Sequence, residues 1–309
     1  MKPIFVVGAL GRHGGTGGSV AHQLLDQGYK VRALTRTADA RAEQLRSRGA
    51  EIVMGDLHDR RTLLPALQEV EVSYFTYPIA DGIVDAAANF ASAAREAQVK
   101  RVVVMSMAPA NPQSPSALGR AQWLAEEVLD WAGFDCIFLR VAALFIENLN
   151  LLHGEEIRDA GVIRNSFADV PVHWMTGEDA GKLAVAALLH PERLCGKKVV
   201  YPTGPNRYTH AEIGSILSNH LGRPVRHETI GQDEWTKNLQ GLSERDSRVT
   251  EGMAAHISVV GAMLVKSMPT NKTFEELTMG SARTLEDVLR SEGFAAIPRR
   301  DPWITPDKS

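Results

Sequence analysis

The densest chemical signal in the sequence is a run of glycines. Residues 8–19 read Gly-Ala-Leu-Gly-Arg-His-Gly-Gly-Thr-Gly-Gly-Ser, between the apolar run Pro3–Val7 and a stretch of helical spacing. Glycine permits positive φ and lets the backbone come within hydrogen-bonding distance of a pyrophosphate. A helix that opens straight afterwards turns free N–H groups and the positive end of its dipole toward the same anion. A Gly-rich match alone says little. Strand, glycine turn and helix in that order make it a dinucleotide-binding signal. The candidate glycines are Gly8, Gly11, Gly14 and Gly17, one more than the fingerprint needs. Counting forward from the strand favours Gly8 and Gly11. Counting back from Leu24-Leu25 favours Gly11, Gly14 and Gly17, so the register stays open in a loop lengthened by about three residues.

The next candidates concern which dinucleotide. Proteins that bind NAD usually end the second strand on an acid that holds the ribose 2′-hydroxyl. Here the strand reads Val31-Arg32-Ala33-Leu34-Thr35-Arg36-Thr37, and its tip carries Thr35 and Arg36 but no acid. A guanidinium there matches a 2′-phosphate through charge and paired N–H donors, so the expected cofactor is NADP(H). Arg32 alternates with Leu34 and points elsewhere on this reading. Asp56 and Leu57 follow the third strand, where Asp56 either meets the adenine amino group or caps the helix beginning near Asp59.

The elements that must position these residues follow a regular rhythm. Strand candidates are Pro3–Val7, Lys30–Leu34, Glu51–Met54, Val72–Thr76, Arg101–Met105 and Asp135–Arg140. Several are apolar without alternation, as in Val102-Val103-Val104, which marks strands buried on both faces. Between them Ile83, Ala87, Phe90, Ala94 and Ala97 fall on one helical stripe, as do Val20, Leu24 and Leu25. Such alternation predicts an α/β fold: a doubly wound, Rossmann-type parallel sheet with helices on both faces. After Arg140 the rhythm loosens. A strand is expected at Lys198–Tyr201. A helix is expected at His210–Leu221, with Thr209 as N-cap and Gly222 as its stop. Residues 245–268 read as another helix with Ile257, Val260, Leu264 and Met268 on one face, and Pro298–Ser309 reads as a tail. The expected organisation is a dinucleotide-binding domain over 1–150. A smaller, mostly helical cap over 151–309 is interwoven with returning sheet elements near 170–204.

Composition narrows the class without naming an activity. The 309 residues carry a net charge of −3, 44% are hydrophobic and 23% charged, which suits a globular chain with a large core. The near-neutral balance argues against nucleic acid or a membrane surface as partner. Cys136 and Cys195 are too few for a disulfide framework, and Cys136 sits in the apolar run Cys136-Ile137-Phe138-Leu139. The N-terminal apolar run is too short for a signal peptide, and no stretch approaches the roughly 20 apolar residues of a membrane span. The expected location is cytoplasmic.

With the glycine turn, Arg32-Ala33-Leu34-Thr35-Arg36 and Gly55-Asp56-Leu57 in place, the chain resembles an NmrA-like atypical short-chain dehydrogenase/reductase. Further likenesses are Gly18-Ser19-Val20-Ala21, Thr76-Tyr77-Pro78, Ser106 and Thr203-Gly204-Pro205. Arg140 through Phe145 with Asn148 resembles an Arg-Pro-…-Phe-…-Glu-Asn pattern, with Val141 in place of the proline. The resemblance implies that Thr76, Tyr77 and Pro78 line the ribose–nicotinamide stretch, that Ser106 lies near the nicotinamide, and that Asn148 belongs to the site. It also exposes a departure. Short-chain dehydrogenases usually carry Tyr-x-x-x-Lys, in which tyrosine gives the proton and lysine lowers its pKa. None of the five tyrosines here has a lysine four residues later. Many NmrA-like reductases keep the lysine in a stretch resembling Lys-Trp-x-x-Glu. The matching stretch is Gln122-Trp123-Leu124-Ala125-Glu126, so Gln122 stands at the lysine position. Glutamine can hydrogen-bond ribose or amide but supplies neither charge nor acid.

The substitute acids offered by the sequence are Ser106, Tyr77 and His153. His173, after a proline and before Trp174, reads as packing. The ten histidines show no metal-site spacing, and no metal is expected. Trp174, Trp235, Phe145 and the apolar face of residues 257–268 could wall an apolar pocket for a small-molecule substrate. The reading leans to an NADPH-dependent reductase of a small organic carbonyl, imine, quinone or enone. The alternative is a non-catalytic NADP(H)-sensing regulator of the NmrA type with a protein partner. An epimerase on an activated sugar ranks third, because it needs the missing pair. A homodimer is compatible with the sequence but not encoded by any motif in it.

Overall fold

The computed structural model describes residues 2–11, 15–263 and 268–294. In chain order its first half runs β1 (Ile4–Val6), α1 (Thr16–Asp26), β2 (Val31–Thr35), α2 (Ala40–Ser47), β3 (Glu51–Met54), α3 (Arg60–Ala66), β4 (Val72–Phe75), α4 (Ile83–Glu96), β5 (Arg101–Met107), α5 (Ala117–Trp131) and β6 (Asp135–Val141). The second half runs β7 (Leu144–Phe145), α6 (Glu147–Ala160), β8 (Val162–Asn165), β9 (Val172–Met175), α7 (Gly177–Leu189), β10 (Val199–Val200), β11 (Arg207–Tyr208), α8 (His210–Leu221), β12 (Arg226–Thr229), α9 (Gln232–Arg245), α10 (Glu251–Met263), α11 (Thr273–Thr278) and α12 (Leu285–Glu292).

Seven strands form the central sheet, in the order β3-β2-β1-β4-β5-β6-β10. Every pairing in it is parallel. The chain winds outward from β1 to β3, then returns to β4 on the other side. The order of winding therefore reverses between β1 and β4, and a crevice opens beyond their carboxyl ends. The strands read as apolar runs because both faces are covered. Val103 packs into the layer that holds Val20 and Leu24 of α1 and Leu183 of α7. Val102 and Val104 pack into the opposite layer with Phe90 of α4 and Leu129 of α5. Helices α1 and α7 approach closely enough that a Cβ at Gly181 would stand 2.3 Å from Ser19 Oγ.

One expectation about the second half gains detail and another needs correction. The C-terminal region is mostly helical and also holds two small sheets, β11-β9-β7 and β12-β8. Runs of two to four residues are too short for periodicity to reveal. Residues 245–268, by contrast, are not one helix. Asp246 is extended (φ −128°, ψ 105°) and its Oδ1 accepts the Arg248 N–H at 3.0 Å. That local bond competes with the helical one and splits the segment into α9 and α10. Leu264 lies outside the described residues, as does the Pro298–Ser309 tail. The helix at His210–Leu221 has the expected ends, with a Thr209/Glu212 capping box and Gly222 in the left-handed region at φ 65°.

Candidate active site

The glycine turn closes on itself. Gly8 has φ 75° and its carbonyl accepts the Gly11 N–H at 2.9 Å. A Cβ at Gly17 would stand 2.3 Å from the Gly8 oxygen, and one at Gly8 would stand 2.5 Å from Thr76 Cγ2. Side chains at either place would fill the space the backbone uses. Gly14 lies outside the described residues. Gly15, not singled out by the sequence, is the N-cap of α1 in the left-handed region at φ 62°, with no side-chain cap. The first-turn N–H groups of α1 are therefore left for an anion, and no acid stands in that turn to compete. This cradle fits the pyrophosphate of a dinucleotide.

At the end of β2, Thr35 Oγ1 donates to the Thr37 carbonyl at 2.8 Å and shapes the turn that carries Arg36. Arg36 is exposed and has no ion pair among the described residues. Arg32 is committed elsewhere, to Glu51 at 2.7 Å and to the carbonyls of Ala66 and Gln68. The sequence missed Arg41. It donates to the Leu10 carbonyl at 2.7 Å, pairs with Asp39 and lines the cavity. Asp59, not Asp56, caps α3. Asp56 Oδ1 accepts the His58 N–H at 2.9 Å, and Leu57 packs under α4.

Thr76, Tyr77 and Pro78 all line the cavity. The Tyr77 hydroxyl, however, donates to the Asp81 carbonyl at 3.1 Å and lies 2.8 Å from His58 Nε2. In this arrangement its hydrogen is held by the Asp81 carbonyl, and the ring is what lines the cavity. Ser106 is buried at the end of β5 and donates its hydrogen to Glu126 Oε1. Glu126 is 2% exposed and takes three contacts from Arg140, including Nε to Oε2 at 3.0 Å. Arg140 in turn donates to the Tyr201 hydroxyl at 2.7 Å. The expectation that Ser106 polarises a carbonyl is thus corrected. With its hydrogen given to a buried carboxylate, the serine faces the cavity as an acceptor. Gln122 is buried on the same helix as Glu126 and lines the cavity with no hydrogen bond among the described residues. Asn148, on the first turn of α6, also lines it.

His153 and Trp235 stack in the cap with centroids 5.3 Å apart and planes at 13°. Burial pulls the His153 pKa down to about 3, so the ring is neutral near pH 7 and holds no spare proton. That speaks against its expected role as donor of a mobile proton. His210 lies 5.2 Å from the His227 ring, and burial lowers both. His173 Nε2 lies 3.1 Å from the Met268 carbonyl. Gly204 packs against the Trp174 backbone, where a Cβ would stand 1.9 Å from its oxygen. The described residues include no group of His, Cys, Asp or Glu that could hold a metal ion, and no described helix is long and apolar enough to cross a membrane.

Glu147 opens α6 and also lines the cavity. Its Oε1 accepts the Gly177 N–H at 2.8 Å, and its Oε2 is enclosed without a partner among the described residues. Burial raises its pKa to about 7, against opposing backbone bonds and Arg283. A carboxyl raised on folding favours the folded state at low pH, and that contribution is lost as pH rises toward the folded value. Glu147→Gln keeps an acceptor for Gly177 and removes the titration. The variant should match wild type in Tm at pH 4, gain on it between about pH 4.5 and 7, and hold that gain above. A thermal melt series across that range checks this; a Tm difference independent of pH would contradict it.

Fold and site together define a dinucleotide-binding α/β protein with a cap over the crevice. The NmrA-like family model matches residues 1–276, and the chain belongs to that family. An NAD(P)H azoreductase of Xenophilus azovorans is 32% identical over 247 residues, 79% of this chain and 82% of that protein. A (4-alkanoyl-5-oxo-2,5-dihydrofuran-3-yl)methyl phosphate reductase of Streptomyces griseus is 34% identical over 233 residues, 74% of this chain and 78% of that protein. An NADPH-dependent quinone oxidoreductase of Escherichia coli, solved with NADPH, shares the fold at TM-score 0.75 and 20% identity, covering 93% of this chain and 98% of that one.

Proposed function

We propose that the protein is an NADP(H)-dependent reductase of a small, flat, conjugated acceptor: a carbonyl, imine, quinone or enone, or an azo compound as in the Xenophilus relative. The observation that carries this reading is one continuous cavity of about 1240 Å³, mostly apolar in lining. It runs from the glycine turn past Thr76, Ser106 and Gln122 to Trp174 and Trp235 under the cap. Sites for one small ligand span roughly 300–1,000 Å³, so this cavity has room for a dinucleotide's reactive half and a second molecule beside it. The uncapped start of α1 with Gly8, Gly11 and Gly17 would hold the pyrophosphate, Arg36 the 2′-phosphate, and Ser106, Gln122 and Asn148 the ribose–nicotinamide end. The bound cofactor supplies the hydride. The protein's own residues orient the two partners and exclude water.

A second reading, a non-catalytic NADP(H) sensor, draws its support from Gln122 at the lysine position. Titration with NADPH and NADH, followed by turnover against a panel of quinones, enones and azo dyes, separates them. The reductase reading expects tight NADPH binding and oxidation with at least one acceptor. Tight binding without oxidation across the panel would favour the sensor.

A further inference from the structure

Four residues before Gln122 stands Leu118, where a Tyr-x-x-x-Lys pair would place its tyrosine. The cap covers that place. At Gly252 of α10 a Cβ would stand 3.5 Å from Leu118 Cδ1 and 3.4 Å from the Ala80 Cα. Thr250, just before α10, ties the helix down by donating to the Ile79 carbonyl at 2.7 Å. One turn beyond Gly252, His256 Nδ1 lies 2.6 Å from Ser116 Oγ, the N-cap of α5. Ser116 Oγ accepts the Gly119 N–H at 3.3 Å, which leaves its own hydrogen for Nδ1. With that hydrogen on Nδ1, the ring's own proton stands on Nε2. Nε2 has no partner among the described residues and is not among the enclosed unpartnered atoms, and the ring lines the cavity. Six residues separate Ser116 from Gln122, about 9 Å along the helix at 1.5 Å per residue. His256 therefore meets the cavity within two turns of the ribose–nicotinamide end.

We propose that His256 is the group that donates a hydrogen bond to the acceptor atom of the substrate, its carbonyl oxygen or its imine or azo nitrogen. This rests on the reductase reading above. When hydride reaches the carbon or nitrogen at one end of the double bond or conjugated system, the displaced π pair settles on the acceptor atom at the other end. Nε2–H stabilises the charge that develops there, and water in the cavity supplies the proton that completes the product. The balance is one acceptor, one NADPH and one proton giving the reduced acceptor and NADP⁺. Burial holds His256 near a pKa of about 4, which keeps the ring neutral with a single N–H, directed by Ser116. A neutral imidazole held in one tautomer suits an electrophile that polarises without first being titrated.

The test uses 2-methyl-1,4-naphthoquinone and an azo dye as probes, in wild type and in His256→Phe, which keeps bulk and removes the donor. The expected result is a fall in kcat of roughly 100-fold with unchanged NADPH affinity, the scale of losing one donor at a developing anion. In wild type holding NADP⁺, the ¹⁵N resonance of His256 Nε2 should shift as probe is added. Retention of kcat within roughly twofold, or an Nε2 resonance that stays put at saturating probe, overturns the proposal while leaving the reductase reading intact. A shifting resonance in a protein that oxidises no NADPH upholds the contact and sinks the reductase reading. The resonance is measured on wild type, so it decides the matter even where the variant fails to fold.

Discussion

Arg36→Asp is expected to collapse the preference for NADPH over NADH. The variant removes a cation from the tip of β2 and installs the acid that would hold a ribose 2′-hydroxyl. A hydrogen bond to a charged group contributes roughly 1.5–3 kcal/mol, and each 1.4 kcal/mol is tenfold, so loss of the contact alone predicts a 10- to 100-fold weaker NADPH affinity. Repulsion between aspartate and phosphate adds to that, while NADH should hold or gain. Fluorescence titration with both nucleotides gives the ratio directly. An unchanged ratio would move the assignment to Arg41, the neighbouring guanidinium that lines the cavity and donates to the Leu10 carbonyl. Arg41→Ala would then carry the effect. With Arg36 holding the phosphate, Arg41→Ala is instead expected to weaken both nucleotides alike, because its bond to the Leu10 carbonyl holds the glycine turn.

The largest loss of stability is expected from Arg140→Met. Glu126 is 2% exposed, and Arg140 is the cation paired with it. Removing one partner of a buried pair leaves an uncompensated charge and costs roughly 3–5 kcal/mol. At about 2 °C per kcal/mol for a chain of this size, Tm should fall by on the order of 10 °C. The pH dependence has a definite sign. Burial already raises the Glu126 pKa against the pull of Arg140 and Ser106, and without the guanidinium it rises further. A raised carboxyl favours the folded state below its unfolded pKa and loses that contribution as pH rises through its folded value. The variant should therefore be closer to wild type near pH 4 than at pH 8. Adding Glu126→Gln should restore much of the loss at pH 8. A Tm deficit equal at both pH values, or no rescue in the double variant, would contradict the buried-pair account.

How far the sequence led depended on the range of the interactions. The strands at Arg101–Met107 and Asp135–Val141 were legible because burial on both faces leaves nearly unbroken apolar runs. Gly8 and Gly17 were legible because their constraints include local ones: Gly8 has φ 75° and accepts the Gly11 N–H, and a side chain at Gly17 would meet the Gly8 backbone. Thr209 and Gly222 declared the ends of α8 for the same reason. Residues whose role is set by distant partners were not legible. Ser106 reads as a donor in the sequence, whereas Glu126, 20 residues on, takes its hydrogen. Tyr77 reads as an acid in the sequence, whereas His58 and the Asp81 carbonyl hold its hydroxyl. His256 carried no signal at all, because its meaning comes from Ser116, 140 residues away. Arg41 was hidden by the more conspicuous Arg36. The turn at Asp246 could have been found, since an aspartate two residues before Arg248 offers the backbone a bond outside the helix.

The central claim is that the cofactor held by the glycine turn gives its hydride to a molecule under the cap. Single-turnover oxidation of bound NADPH, with hydrogen or deuterium at C4 of the reduced ring, tests it most directly. With 2-methyl-1,4-naphthoquinone or an azo dye as acceptor, the account predicts loss of the reduced-nicotinamide absorbance and a slower rate for the deuterated cofactor. Tight NADPH binding with the nicotinamide still reduced, against every acceptor of the panel, would contradict it.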